Sequence, residues 1–238
     1  MIYFRDNSTL SNAGRLFAFA AFIFLLPCSV FAQTTSPKSD PNIKQSTGKA
    51  ANSPASIVII LDTSASMRST PKLNKVILES LSRFVEQGHE NSEYFIVGIS
   101  TVPKLLLDAS TDIEATQKAI SKIKSQKPEG ASAFYDACFW GVKKLSQGKH
   151  SRKIALIISD GIDTISEKSL NELLASLKDE KVVIYAVNVN SQENKISSRG
   201  GKDLDKITST TGGAVFKAKK TEEVKSIFDS IEEKLQNQ

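Results

Sequence analysis

Cysteine is almost absent from this chain. Of 238 residues only Cys28 and Cys138 carry a thiol, and Cys28 lies in an N-terminal stretch expected to be removed. One remaining thiol excludes an internal disulfide even in a compartment oxidising enough to form one. Histidine is equally scarce, with His89 and His150 both in polar loops and most simply exposed. Imidazole- or thiolate-rich zinc and copper centres are therefore disfavoured. There is no Gly-x-x-x-x-Gly-Lys phosphate loop and no Gly-x-Ser-x-Gly nucleophile elbow. No uninterrupted apolar run reaches the roughly 20 residues that span a bilayer. Charge of one sign is lacking too: 31 basic residues against 26 acidic leave +5, spread along the chain. Without an aromatic-rich basic motif, that excess reads as a solvated surface and not as a nucleic-acid platform.

What is present begins with a leader. Arg5 and Arg15 precede the apolar run Leu16 to Leu26, which Pro27 interrupts, and Val30-Phe31-Ala32 supplies small residues at the positions a signal peptidase reads. Residues 1–32 are expected to be a signal peptide cleaved after Ala32, which places the mature chain in the periplasm or outside the cell with no membrane span. Cys28 is a poor lipid-attachment site because Pro27 stands where a small residue is wanted. Residues 33–54 are polar, with Pro37, Pro41 and Gly48, and are expected to form a flexible linker. The folded domain is expected over 55–238.

From there strands and helices alternate. Ile57 to Leu61 and Ile154 to Ile158 are continuous aliphatic runs, the pattern of strands covered on both faces. Tyr94 to Ser100, Pro103 to Leu107, Val182 to Val189 and Ala214 to Phe216 complete six strands, the third being a hairpin partner of the second at the sheet edge. Helices are expected from Thr70-Pro71 (a capping hydroxyl before a proline), from Asp112, over Ala133 to Leu145, around Leu170 to Leu177, around Leu204 to Thr208, and through Val224 to Leu235. The fold class is α/β: a doubly wound, mostly parallel six-stranded sheet with one antiparallel edge strand and helices on both faces. Cys138 falls on the apolar face of its helix beside Phe134, Val142 and Leu145, a small buried hydrophobe.

The chemistry gathers where the two buried runs stop. One ends at Asp62 and the other at Ser159-Asp160-Gly161. If these strands are neighbours where the strand order reverses, both carboxylates open into one crevice. Ser64 and Ser66 lie two apart, so an extended loop would aim both hydroxyls the same way. Ser132, at the start of a helix, can reach the same place. Two carboxylates and three hydroxyls form a hard oxygen set suited to Mg²⁺, with Mn²⁺ or Ca²⁺ as alternatives.

These residues resemble the von Willebrand factor type A domains. Asp62-Thr63-Ser64-Ala65-Ser66 matches the Asp-x-Ser-x-Ser element of that family's metal-ion-dependent adhesion site. Gly130-Ala131-Ser132-Ala133 is similar to the loop carrying a distant Thr, with Ser132 in its place, and Ser159-Asp160-Gly161 is similar to the loop carrying a distant Asp. The resemblance is nearest to secreted bacterial members. It implies metal ligation by Asp62, Ser64, Ser66, Ser132 and Asp160, the acids acting directly or through water, with one coordination position left for an Asp or Glu of a partner protein. It implies adhesion or protein binding with no catalysis. Ser132 lacks the β-branch that stiffens Thr, so its coordination is expected to be looser. Ala65 stands where Gly is common.

Two other functions fit the same residues: a Mg²⁺-dependent hydrolase or phosphotransferase, since an Asp at a strand end also begins phosphoryl chemistry, and a metal-free scaffold. Against the enzyme, no second Asp follows two residues after Asp62, and neither histidine is near a nucleophile in sequence. Asp163 and Asp136 read as a loop acid and a helix-N-terminal acid, and Met67 as a packing residue. Lys143, Lys144, Lys149, Arg152 and Lys153 read as a solvated turn at the end of the sheet away from the ion.

Overall fold

The computed structural model describes residues 53–88, 91–189 and 195–236. The expected signal, nearly all of the expected linker, and His89 lie outside the described residues.

The described elements are β1 (Ser56–Asp62), α1 (Pro71–Glu86), β2 (Glu93–Ile99), β3 (Lys104–Ser110), α2 (Ile113–Ser125), α3 (Phe134–Ser146), β4 (Lys153–Ser159), α4 (Leu170–Leu177), β5 (Val182–Asn188), α5 (Lys195–Thr210), β6 (Ala214–Lys217) and α6 (Thr221–Gln236). The sheet runs in the order β3-β2-β1-β4-β5-β6, and every pair is parallel except β2 with β3. The chain leaves β1 toward one edge and returns to its other side at β4, so the order reverses between these two strands.

Alternation along β1 divides the core. Ile57, Ile59 and Leu61 pack with α1, α2 and α6, whereas Val58 and Ile60 pack with α3 and with residues of α4 and α5. All seven residues of β1 are buried, and each large aliphatic among them contributes about 1.5–3 kcal/mol by leaving water. No property of this packing calls for a charge, yet β1 ends in one.

Most helix boundaries follow local rules. Asp112 caps α2 by accepting from Glu114 N and Ala115 N at 2.9 and 3.2 Å, and Ser169 with Glu172 forms a capping box on α4. The expected cap on α1 is different. Pro71 occupies the first turn, but the Thr70 side chain makes no cap bond; its hydroxyl donates to Asn74 Oδ1 at 3.3 Å instead. α5 is longer than the sequence pattern suggests, because Gly200 and Gly201 sit inside it. A Cβ on Gly200 would stand 2.4 Å from the Asp160 carbonyl, and one on Gly161 (φ 74°) would stand 2.4 Å from the Gly200 carbonyl. The two glycines let α5 press directly on the loop after β4, and packing there overrides poor helix propensity.

Candidate metal centre

Parallel register puts Leu61 of β1 beside Ile158 of β4, so Asp62 and Ser159 end the two strands side by side. Asp62 is 4% exposed and Asp160 8%. Asp62 Oδ1 accepts from the Ser64 backbone N–H at 2.9 Å, and Asp62 Oδ2 accepts from Ser159 Oγ at 2.7 Å. Asp160 Oδ1 accepts from Ile162 N at 3.0 Å and its carboxylate also takes a hydrogen bond from the Ser66 hydroxyl. Ser64 Oγ and Ser66 Oγ lie 3.1 Å apart. Asp62, Ser64, Ser66 and Asp160 are thus linked as one group.

The hydroxyls come together in a way the sequence did not indicate. Ser64 is extended, but Ala65–Ser69 form a 3₁₀ turn, so tight winding, not strand alternation, brings Ser66 next to Ser64. Met67 of that turn packs into the core as expected.

Ser132 arrives on a third loop. Ala65 N donates to the Gly130 carbonyl at 3.0 Å, and Gly130 sits at φ 83°, a left-handed conformation that favours glycine. Ser132 N donates to Thr164 Oγ1 and Thr164 N donates to the Ser132 carbonyl, both at 2.9 Å. The Ser132 hydroxyl itself is buried and has no hydrogen-bond partner. A buried hydroxyl left unpaired costs about 1–3 kcal/mol; Tyr94 Oη, Arg152 Nε and Asn188 Oδ1 are also buried and unpaired, but Ser132 is on a loop bonded to the one that follows Asp62.

Electrostatics lead to the same place. Burial pushes the Asp62 carboxyl up to about 6; hydrogen bonds from Ser64 and Ser159 oppose the rise, and the charge of Asp160 adds to it. Burial also raises Asp160, against the bonds from Ile162 and Ser66. Two desolvated acids of like charge are relieved by a cation. Among the described residues no three His, Cys, Asp or Glu side chains gather as a metal site; the hard donors here are two carboxylates and three hydroxyls. The donor set, its burial and the orphaned Ser132 Oγ fit Mg²⁺, Mn²⁺ or Ca²⁺.

Asp136 and Asp163 are structural. Asp163 Oδ1 accepts from Phe134 N and Tyr135 N at 2.9 and 3.3 Å, capping α3 from a distant loop. Asp136 accepts from Glu167 N and Lys168 N, both at 2.9 Å, in return. Sequence reading missed Ser159, whose only signal is that it is the polar end of an apolar run. The basic cluster lies away from the site and is solvated in part: Lys143 and Lys149 are exposed, whereas Arg152 donates to the carbonyls of Ser53 and Leu235, Lys153 to nearby Gly148, and Lys144 pairs with Asp108 at 3.2 Å. The acceptors of Arg152 and Lys144 are distant in sequence. Cys138 is buried as expected, and desolvation pushes its thiol far up.

Solved structures with this architecture include a von Willebrand factor type A protein from Catenulispora acidiphila (16% identity, TM-score 0.64, covering 77% of this chain and 43% of that one). The pilus adhesin SpaC from Lactobacillus rhamnosus GG gives 12% identity and a TM-score of 0.62, covering 77% of this chain and 30% of that one. An aerotolerance-related membrane protein from Bacteroides fragilis gives 13% and 0.60, covering 78% of this chain and 100% of that one. This chain therefore spans under half the length of the first two, and identities this low show a shared fold alone. No curated protein matches the sequence. The profile of the von Willebrand factor type A domain matches residues 56–230, which contain every residue of the candidate centre, and the chain belongs to that family.

Proposed function

We propose that this chain is an extracytoplasmic protein-binding module whose partner engages it through a divalent cation. The reading is carried by two desolvated carboxylates together with a buried, unpartnered Ser132 hydroxyl on a loop that is joined to the Asp62 loop by the Ala65–Gly130 hydrogen bond. Asp62 and Asp160 would balance the cation's charge, and Ser64, Ser66 and Ser132 would supply neutral oxygens. A bound Mg²⁺ offers an acidic side chain one coordination position, since it seldom gives up all its water. With the charge already balanced, a partner's Asp or Glu is held modestly and reversibly.

Apolar side chains flank the centre. The large hydrophobics exposed among the described residues are Val102, Leu105 and Ile165. Val102 follows Thr101, which accepts from Ala131 N at 3.1 Å, and Ile165 follows Thr164, which holds Ser132 from the other side. A partner meeting the cation would cover both, as interface cores are apolar within a polar rim.

Catalysis has less support. Cys138 is buried with its thiol held protonated, and His150 lies at the other end of the sheet, its Nε2 2.8 Å from the Asn91 carbonyl. Similar folds occur in a pilus adhesin and in the PilB minor pilin of Streptococcus sanguinis, which agrees with a binding role. Among the described residues no helix is long and apolar enough to cross a membrane; a signal peptide over 1–32, as expected from the sequence, would place the chain outside the cytoplasm.

The test is thermal unfolding with and without Mg²⁺. At a hundred times its Kd the ion should stabilise the fold by about 2.7 kcal/mol, and Asp62→Ala should abolish the shift. An unshifted curve in excess Mg²⁺ and Mn²⁺ would leave a metal-free scaffold. Turnover of a phosphate ester that disappears in Asp62→Asn would leave an enzyme.

A further inference from the structure

A second feature adjoins the centre. A cleft of about 750 Å³ lies between α1 and the C-terminal end of α2, and Asp62 and Thr63 help line it. The cleft and the candidate metal centre therefore share a wall. Its size is in the range of ligand-binding clefts.

The lining is apolar below and basic above. Leu61, Met67, Ile77 and Ile158 contribute buried aliphatic and thioether surface. Arg68, Lys75, Lys104, Lys124 and Lys127 also line it, and apart from Asp62 the only acid among the lining residues is Glu129. Two of the five cations are engaged. Arg68 Nε donates to the Pro128 carbonyl, and Lys124 pairs with Glu79 at 2.8 Å. Lys75, Lys104 and Lys127 are exposed and form no ion pair among the described residues. Five cations against Asp62 and Glu129 around an apolar floor match one kind of occupant, a chain bearing both carboxylates and aliphatic side chains. Neutral apolar ligands would leave the lysines unused, and a highly charged polymer would leave the floor uncovered.

We propose that the cleft receives an acidic, aliphatic-bearing peptide segment of the partner protein, continuous with the residue whose carboxylate reaches the cation. The proposal rests on the metal-dependent binding reading and adds what the partner looks like: further acids beside the coordinating one, alternating with aliphatic residues. The lysines would steer the segment and fix its register, and the floor would hold its apolar side chains.

The probe is a short fluorescent peptide alternating glutamate and leucine, titrated by anisotropy against the full-length chain in Mg²⁺. The triple variant Lys75→Gln, Lys104→Gln, Lys127→Gln changes only exposed side chains, introduces no new carboxylate near Asp62 and leaves the metal ligands in place. It should bind the peptide at least about tenfold more weakly, with the weakening largest at low salt, while its Mg²⁺-dependent rise in melting temperature stays the same as in the parent. Peptides alternating glutamine with leucine, or glutamate with serine, should also bind at least about tenfold more weakly. Equal binding by parent and triple variant, no binding to the glutamate–leucine peptide, or equal competition by an oligonucleotide of matching charge would each overturn the proposal. The two readings fail separately. If Mg²⁺ produces no thermal shift in the parent, the metal reading falls, and lysine-dependent peptide binding that persists in chelator upholds the cleft alone.

Discussion

The two ends of the central strands both hold buried polar groups, and the contrast between them separates structure from function. At the start of β1, Glu93 is 5% exposed and Ser56 is fully buried. Ser56 Oγ donates to Glu93 Oε1 at 2.6 Å and accepts from His150 N at 3.1 Å, while Lys149 N donates to the same carboxylate oxygen. Lys153 approaches Ser56 Oγ at 3.4 Å and bonds Gly148 as well. The Glu93 carboxylate there has neutral and cationic donors around it, although Tyr94 Oη and Arg152 Nε at the same end are buried without a hydrogen-bond partner. At the far end, Asp62 and Asp160 are held against their desolvation by a few hydroxyls and backbone groups, and Ser132 Oγ has no partner. Burial is similar at both ends, and each leaves polar atoms unpaired; the difference is charge, one carboxylate with lysine nearby at the start of β1 against two desolvated carboxylates at its end.

The largest effect should come from breaking the cluster at the start of β1. Glu93→Ala leaves the Ser56 hydroxyl and the Lys149 N–H without their acceptor and should cost about 2–4 kcal/mol in urea unfolding, by the same amount with or without Mg²⁺. A loss that Mg²⁺ restores would blur the distinction between the ends.

The next concerns pH in chelator. Burial holds the Asp62 carboxyl at about 6 instead of 3.8, so between those values the folded chain keeps a proton that the unfolded chain has released. The stability from this group is therefore fully present below the unfolded value and is lost as pH rises through about 6, on the order of 2–3 kcal/mol. Melting temperature followed from acid to neutral pH should fall in the parent and lie flatter in Asp62→Asn. Saturating Mg²⁺ should remove most of the fall.

The smallest change should sharpen the contrast most. Ser132→Ala removes an unpaired hydroxyl and should leave the chelated protein unchanged or about 1 kcal/mol more stable, while weakening its response to Mg²⁺ severalfold. A chelated variant clearly less stable than the parent would show that the hydroxyl has a structural partner after all.

Much of this was legible in the residues. β1 and β4 are covered on both faces, so their aliphatic runs are unbroken and Asp62 and Asp160 stand out as interruptions. The nearness of Ser64 to Ser66 was legible but the tight turn that produces it was not. Ser159 was not legible either, because its role depends on which strand lies beside β1, and a sequence does not print registers. The extent of α5 was obscured by Gly200 and Gly201, which are poor helix formers; Gly200 lies against the backbone of the Asp160 loop and Gly201 against the Asn188 side chain. Arg152 looked solvated because its acceptors, Ser53 and Leu235, lie at opposite ends of the domain sequence. Local rules predicted what local interactions decide.

Asp136 and Asp163 reach across between the start of α3 and the loop after β4, and Ser132 and Thr164 bond each other in both directions. These crossed attachments staple two loops into one rigid plate. A force applied to either loop is shared between β4 and α3 at once instead of peeling a single loop from the surface.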